Sequence, residues 1–396
     1  MNRRHFLRAT AALPFGRVAT FPLGTFGAAQ LAVAAAPATA DYRKLLVLVE
    51  LKGGNDGLNT LVPYRDAAYY ALRPKIAIPA DQVVQLTDQA GLHPALAPLL
   101  PLWNDRKLAV LQGLGYPDPN LSHFRSIEIW DTGSRSEQVL QEGWLTRAFA
   151  TSPTPRSFAA DGVIVGSNDL GPLAGSGTRA IALADTDQFL RQSKLAQPAA
   201  AARNKALGHI LKVESDIVQA AGHLDGKRVF RTEFPAGGFG NAIRTASRII
   251  ANPSGVAVLR VTLGGFDTHA NQPATQARLL GELAAGLVAL RSALTELRKW
   301  DDTVVLTYAE FGRRPKENQN SGTDHGTANV HFALGGRVTG GMHGTAPDLA
   351  RLSGDGNPAF AVDFRSVYAT VLEQWWGVDS RNALGARFAP LPFLAT

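Results

Sequence analysis

Short apolar segments recur along the chain, and most of them end at a glycine-rich or polar turn. They lie at residues 45–51, 108–112, 163–165, 181–183, 256–263 and 303–308. Nearly continuous apolar runs of this length are typical of strands that are buried on both faces of a parallel sheet. The pattern therefore predicts a buried, mainly parallel sheet.

Helical spacing of apolar residues occupies the intervals between these strands. Helices are predicted at about residues 92–103, 122–130, 186–221, 276–300 and 363–376. Residues 152–240 contain short strand-like pieces and then a long helical stretch with Ala, Gln and Lys, and they carry no motif rich in metal ligands. We therefore interpret them as an insertion or cap region. The repeated order of strand, turn and helix predicts an α/β fold.

Acidic residues and histidines follow directly after three of the predicted strands. The side chains at these strand ends are Asp56, Asp267, His269 and Glu310. In parallel sheets ligands bind at the carboxyl ends of the strands, so these side chains are expected at one edge. Carboxylates and neutral imidazoles are good ligands for zinc and similar divalent ions.

A fourth polar segment, GTDHG, contains Asp324 and His325 between glycines. Adjacent residues can bind one ion only if the loop bends sharply, which flanking glycines permit. Asp267 and His269 are two residues apart, so both point the same way in an extended segment. Two ions about 4 Å apart would form the clamp of hydrolases that act on phosphate esters.

Each candidate ligand also has a purely structural interpretation. Asp56 can stabilise a turn by bonding the local backbone, and Asp267 can cap a helix beside a surface histidine. His331 and His343 are further imidazoles without a motif of their own. Either can complete a metal shell.

Candidate catalytic residues are Ser122, His123, Glu310 and Arg313. Ser122 lies at a predicted helix start, where it is either a metal-activated nucleophile or a helix cap. His123 either orients a substrate or packs. Glu310 and Arg313, with Arg314 beside them, are either a ligand and anion-binding set or a surface ion pair.

Composition narrows the class of protein. The chain has 396 residues, 45% of them apolar and none of them cysteine, which excludes disulfides and thiolate ligands. The formal charge of +7 includes Arg3, Arg4, Arg8 and Arg17, and subtracting these four leaves +3. That remainder is too small and dispersed to predict nucleic-acid binding.

The N-terminal 40 residues are predicted to be a twin-arginine signal peptide. Paired arginines precede Phe6-Leu7, a modestly apolar run follows, and Ala38-Thr39-Ala40 supplies small residues for cleavage. No later segment is apolar and long enough to span a bilayer. The mature protein, residues 41–396, is therefore expected in the periplasm or outside the cell.

Five segments in this order resemble the family known as domain of unknown function 1501: LVELKGGNDGLNTLVP, Ser122-His123-Phe124, GGFDTHANQ, YAEFGRR and GTDHG. That family is in turn similar to the alkaline phosphatase and sulfatase superfamily. The resemblance implies a three-layer α/β/α sandwich that holds two divalent ions beside a serine or threonine nucleophile.

The resemblance also implies roles for individual residues. Asp56 matches the ligand after the first strand, and Ser122 matches the nucleophile. Asp267 and His269 would hold one ion, while Asp324 and His325 would contribute to its neighbour. The superfamily has a further histidine ligand, for which only His331 and His343 are available here.

Two functional hypotheses follow. The first is an exported hydrolase of phosphate or sulfate esters that uses one or two ions of zinc, manganese or calcium. The second is a non-catalytic periplasmic protein that binds an anionic glycan, lipid or partner protein. Completeness of the metal shell beside a free Ser122 distinguishes the two.

Overall fold

A nine-stranded central sheet organises the described part of the chain, residues 40–183 and 228–394, in a computed structural model. The strands of this sheet are β1 (Leu45–Lys52), β5 (Leu108–Gly115), β6 (Ala160–Val165), β7 (Ala180–Leu183), β8 (Val256–Gly264), β9 (Thr303–Tyr308), β12 (Asn329–Leu334), β13 (Gly341–Gly344) and β14 (Val362–Asp363). All six strands predicted from the apolar runs are present.

The strand order is β13-β5-β12-β9-β1-β8-β6-β7, with β14 beside β5. Within this sheet, β12 alone runs antiparallel to its neighbours. The mainly parallel sheet predicted from the sequence is therefore confirmed.

Helices cover both faces of the sheet. They are α1 (Gly57–Thr60), α2 (Ala67–Leu72), α3 (Leu100–Asn104), α4 (His123–Thr132), α5 (Trp144–Thr151), α6 (Gly238–Ile250), α7 (Gln272–Glu296), α8 (Arg365–Thr370) and α9 (Ser380–Leu384). Short 3-10 helices lie at Pro94–Leu99 and Gly171–Leu173, and a π-helical turn lies at Val371–Trp375.

Each sheet face buries its own apolar layer. Ile243 of α6 and Leu283 of α7 pack in one layer with Val47 of β1. Trp130 of α4 and Trp144 of α5 pack in the other layer, on the opposite face. Alternate side chains of a strand point to opposite faces, so the same strands supply both layers. The architecture is thus the expected three-layer α/β/α sandwich.

The predicted helix over residues 92–103 is wrong in its details. Gly91–Leu92 is a strand, Pro94–Leu99 is a 3-10 helix, and only Leu100–Asn104 is α-helical. Pro94, Pro98 and Pro101 fall within this interval, and a proline inside an α-helix removes a backbone donor and clashes with the preceding turn. The apolar residues of this interval therefore lie on a 3-10 helix followed by a short α-helix, and not on one continuous α-helix.

Two small sheets complete the fold. One consists of β2 (Leu61–Val62), β4 (Gly91–Leu92) and β3 (Val84–Gln85). The other is a hairpin of β10 (Gly312–Glu317) and β11 (Thr323–Gly326), in which Arg313 pairs with His325. The GTDHG segment is therefore a paired strand rather than the sharply bent loop that the sequence suggested.

Three predictions lie wholly or partly outside the described residues. These are residues 1–39 of the signal peptide, the whole of the 186–221 helix and the centre of the 152–240 region. The described part of that region contributes β6 and β7 to the edge of the central sheet. Among described helices, none has the length and apolar character that a membrane span requires.

His331 and His343 lie within the sheet, where both pair with Leu111 in the middle of β5. His331 is 1% exposed, and neither of its ring nitrogens has a hydrogen-bond partner. It packs against the edge of Trp130, and burial lowers its pKa to about 3. His331 is therefore a core residue.

Replacing His331 with leucine is expected to make folding stability less sensitive to acid. The unfolded chain protonates His331 at about pH 6.5, whereas in the folded protein burial lowers the pKa of His331 to about 3. Between these values the unfolded state binds more protons. As the pH falls, the free energy of unfolding of the wild-type protein therefore decreases by about 1.4 kcal/mol per pH unit relative to that of the variant. Denaturant titrations at pH 7 and pH 5 measure this loss; an equal stability difference at both pH values contradicts it.

Candidate metal centre

The carboxyl ends of three neighbouring strands, β1, β8 and β9, define the site. Lys52 at the end of β1 lies beside Gly264 at the end of β8, and Glu50 lies beside Tyr308 at the end of β9. The turns that follow these strands therefore start side by side. They carry Asp267 and Glu310, as the strand-end argument predicts.

Gly53 joins two of these turns at close range. It has a φ of +116°, and a Cβ at this position would collide with the backbone of Phe266 and Asp267. Its N–H donates to both carboxylate oxygens of Glu310, at 3.0 and 3.1 Å. Only glycine combines this backbone conformation with so close an approach.

The side chain of Arg313 holds the strand-end turns together through hydrogen bonds. Its guanidinium is buried and donates to the carbonyls of Gly54 (2.7 Å), Thr323 (3.0 Å) and Phe266 (3.1 Å), and also to that of Gly53. It further donates to Asp267 Oδ1 at 2.7 Å. The sequence left Arg313 either in an anion-binding set or in a surface ion pair; it is instead buried, pairs with Asp267 and holds the turns together.

Three imidazoles surround the Asp267 carboxylate. His123 Nε2 from the start of α4 lies 3.3 Å from Oδ2. His325 Nε2 from β11 lies 3.2 Å from Oδ1, and His269 Nε2 lies 3.1 Å from the same oxygen. The donor atoms of His123, Asp267 and His325 all lie within 4.8 Å of one another.

The second nitrogen of each imidazole faces a hydrogen-bond acceptor. His123 Nδ1 is 2.9 Å from Glu310 Oε1, and His325 Nδ1 is 2.7 Å from the carbonyl of Leu121. His269 Nδ1 is 3.4 Å from Asp324 Oδ1. For His123 and His325 these acceptors favour a proton on Nδ1, which would leave Nε2 facing Asp267 as a ligand atom.

The Nε2 atoms of two of these imidazoles lie close to each other. His269 Nε2 and His325 Nε2 are 2.9 Å apart, and both face a carboxylate oxygen. Two imidazole nitrogens at this distance share either one N–H or a bound cation. The donor set of imidazole nitrogens and one carboxylate therefore fits a zinc-like divalent ion.

Electrostatics favour the ligand forms of these groups. Burial opposes ionisation of Asp267, but the hydrogen bond and charge of Arg313 outweigh it and lower the pKa to about 2. Burial lowers the pKa of His325, and the charge of Arg313 acts in the same direction. Asp267 is therefore an anion and His325 a neutral ring near pH 7.

Phe311 supplies an apolar wall to the site. Its ring centroid lies 4.4 Å from that of His325 and 4.9 Å from that of His123. Phe311 is itself buried. A ring packed against two ligands restricts their rotation and excludes water from one side of the site.

Asp56 does not join this cluster, contrary to the expectation from its strand-end position. Its side chain is fully buried, and Arg73 binds both oxygens at 2.5 and 3.0 Å. Gln272 Nε2 donates to the same carboxylate at 2.5 Å, and the Leu58 N–H donates at 3.1 Å. Both carboxylate oxygens of Asp56 therefore already accept hydrogen bonds, and neither faces the histidine cluster.

Asp324 and His325 separate because β11 is extended, so adjacent side chains point to opposite faces. His325 faces Asp267, whereas Asp324 is exposed and reaches the cluster only through His269. Glu310 likewise touches His123 rather than the centre of the cluster. Asp324 and Glu310 thus orient ligands and do not themselves lie among the facing donors.

Ser122 precedes α4 and lies between Leu121 and His123, both of which contact the cluster. It is exposed, and its hydroxyl makes no hydrogen bond to any described residue, including the capping bond that the structural interpretation requires. Neither His331 nor His343 is among the facing donors. The sequence held no signal for the Leu121 carbonyl or the Gly53 N–H, since backbone groups carry no residue signature.

Fold and site together define an α/β sandwich protein with a candidate metal centre at the carboxyl edge of its sheet. The sequence matches the family described as protein of unknown function DUF1501 over residues 103–386. This chain belongs to that family. No curated protein matches it.

Several solved structures are similar at low sequence identity. A protein in the alkaline phosphatase superfamily from Vibrio parahaemolyticus is 10% identical, with a TM-score of 0.41 over 87% of this chain and 69% of that chain. The lipoteichoic acid synthase LtaP from Listeria monocytogenes is 10% identical, with a TM-score of 0.35 over 74% and 67%. Alkaline phosphatase from the Antarctic bacterium TAB5 is 10% identical, with a TM-score of 0.31 over 76% and 92%. These similarities are distant.

Replacing Glu310 with glutamine is expected to weaken divalent-ion binding about 10- to 100-fold. The glutamine oxygen would accept the Gly53 N–H, which turns the amide NH2 toward His123 Nδ1. That ring would then carry its proton on Nε2, where it faces Asp267 and cannot bind an ion. Isothermal titration with Zn2+ and Mn2+ measures the affinity.

Glu317→Gln is the matched control, because Glu317 also accepts two backbone N–H groups, from Lys75 and Ile76. It makes no contact with a candidate ligand among the described residues. Equal ion affinity in wild type and the Glu310 variant would refute the tautomer assignment.

Proposed function

We propose that this protein is an exported hydrolase of phosphate or sulfate esters that depends on one divalent ion. A single observation carries the proposal: the Nε2 atoms of three imidazoles converge on the carboxylate of Asp267, and each lies 3.1 to 3.3 Å from one of its oxygens. His123, Asp267 and His325 would hold the ion, with His269 as a further ligand.

One ion is proposed rather than two. A second ion would need acceptor atoms that are still free, and Asp56 offers none because Arg73, Gln272 and the Leu58 N–H already bind it. The positive charge of the Arg73 guanidinium already balances this carboxylate. Zinc, manganese and calcium remain the candidate ions, and the nitrogen-rich donor set favours the first two over calcium.

When bound, a divalent ion supplies a Lewis acid that stabilises negative charge on the oxygens of an ester. The chain's own residues arrange the reaction around it. Arg313 keeps Asp267 ionised, Glu310 fixes the His123 ring, and Phe311 excludes water from one side. An anionic ester would complete the charge balance at the open side of the site.

Ser122 is the proposed nucleophile. Its Oγ would form a bond to the phosphorus or sulfur atom while the bond to the leaving alcohol oxygen breaks. Ser122 is exposed, so its proton passes to solvent, and solvent protonates the leaving alcohol. A water oxygen would then form a bond to the phosphorus or sulfur atom while its bond to Ser122 Oγ breaks, which releases inorganic phosphate or sulfate and restores the hydroxyl.

Export is part of the proposal and is supported by the paired arginines, the apolar run and the small residues before Asp41. An ester that carries a phosphate or sulfate group outside the cytoplasm is the corresponding substrate class.

Wild-type protein is expected to bind one equivalent of Zn2+ or Mn2+, and Asp267→Asn to lose it. The asparagine keeps the size of the side chain but removes the charge that faces three imidazoles. Asp324→Asn should weaken binding less, because Asp324 reaches the cluster only through His269. Elemental analysis and calorimetry measure both effects, and a variant order opposite to this one would contradict the ligand set.

Ser122→Ala is expected to lower the rate of ester hydrolysis roughly a thousandfold or more while ion affinity stays unchanged. p-Nitrophenyl phosphate and p-nitrophenyl sulfate are suitable first substrates. An ion-loaded protein that cleaves neither of them, nor a wider set of phosphate and sulfate esters, would support the binding-protein hypothesis. Full activity in the alanine variant would exclude the serine mechanism.

A further inference from the structure

Gln272 lies at the junction of the two segments that carry His269 and His325. It begins α7 and is fully buried. Its side-chain oxygen accepts from the Thr268 hydroxyl at 3.1 Å and from the Thr323 hydroxyl at 2.6 Å. One amide oxygen therefore bridges the two ligand segments.

The orientation of this amide is unambiguous. Gln272 Nε2 donates to Asp56 Oδ2 at 2.5 Å and to Gln276 Oε1 at 3.2 Å. A carboxylate only accepts, so the amide nitrogen must face Asp56 and the oxygen must face the threonines.

Asp56 is itself immobile, because Arg73 holds both of its oxygens. The Arg73 guanidinium also donates to Asn59 Oδ1 at 2.7 Å and to the carbonyl of Pro315 at 2.7 Å. A buried hydrogen-bonded chain thus runs from Arg73 through Asp56 and Gln272 to the threonines beside the ligands.

The backbone keeps the same two segments together independently of this side chain. The Thr323 N–H donates to the Thr268 carbonyl at 3.2 Å, and the Gln272 N–H donates to the Ser321 carbonyl at 2.9 Å. Removal of the amide should therefore leave the segments paired and loosen only their spacing. A loss of ion binding in a folded variant would then indicate that Gln272 positions the ligands and is not required for folding.

We infer that Gln272 is a positioning residue that sets the spacing of His269 and His325 and thereby the ion that the centre accepts. The inference rests on the proposed metal centre. The two Nε2 atoms are 2.9 Å apart, and ions that differ in size and preferred coordination require different ligand spacings. A residue that fixes this spacing controls both affinity and selectivity.

The test compares Gln272→Met with Gln276→Met in the full chain. Gln276 is equally buried on the same helix and donates to the Asp56 carbonyl at 3.0 Å. Among the described residues it accepts from Gln272 Nε2 at 3.2 Å but does not contact the Thr268 or Thr323 side chain, so it is a matched control for the loss of a buried amide. Both variants are expected to lower the midpoint of chemical unfolding of the ion-free protein.

Only Gln272→Met is expected to weaken Zn2+ and Mn2+ binding, by about 10- to 100-fold, and to change the ratio of the two affinities. Calorimetry with each metal salt measures this. Thr323→Val removes one of the two hydroxyl donors at nearly constant volume and should weaken binding in the same direction, which keeps the test valid if the methionine variant does not fold.

The outcomes separate this inference from the proposed function. If wild-type protein binds neither ion, the metal centre itself is refuted and the positioning role falls with it. If wild type binds but the Gln272 and Thr323 variants match it, the positioning role alone is refuted. Equal weakening in the Gln276 control would also refute it, because the effect would then follow general loss of core hydrogen bonds.

Discussion

The buried guanidinium of Arg313 is the interaction on which the site depends. It gathers carbonyls from the turn after β1, the turn after β8 and the strand β11, and it pairs with Asp267. The turns after β1 and β8 already start side by side because these strands are neighbours, and Arg313 links both of them to β11. A fixed fork of donors suits this task better than a lysine, which offers a single point of charge.

Local patterns predicted the sheet well because each buried strand carries its own apolar signal and ends at a glycine-rich turn. The strand-end rule pointed to Asp267 and His269, whereas the GTDHG segment alone pointed to His325. The interrupted helix at Pro94–Leu99 was missed because apolar spacing was weighed above three prolines. The β10–β11 hairpin was missed because its polar, functional residues hide the alternation of a strand.

Asp56 and Asp267 have similar local sequences but different partners, which the local sequence alone does not predict. Both follow a strand and a pair of glycines, yet one is saturated by Arg73 and the other faces three imidazoles. Arg73 comes from a part of the chain without any motif, so its pairing with Asp56 is invisible in the sequence. The tautomers of the histidines are equally invisible, since they depend on a backbone carbonyl and on the partner of Glu310.

The antiparallel strand β12 has a consequence for the timing of assembly. It inserts between β5 and β9, so the hairpin that delivers His325 is anchored only after both neighbours are in place. His123 and Asp267 come from two other regions that are distant in sequence. A partly folded chain that lacks one of these regions would hold an incomplete ligand set, so an ion would be bound late in folding. The metals available in the compartment where the chain completes its fold would then decide which ion the proposed centre takes.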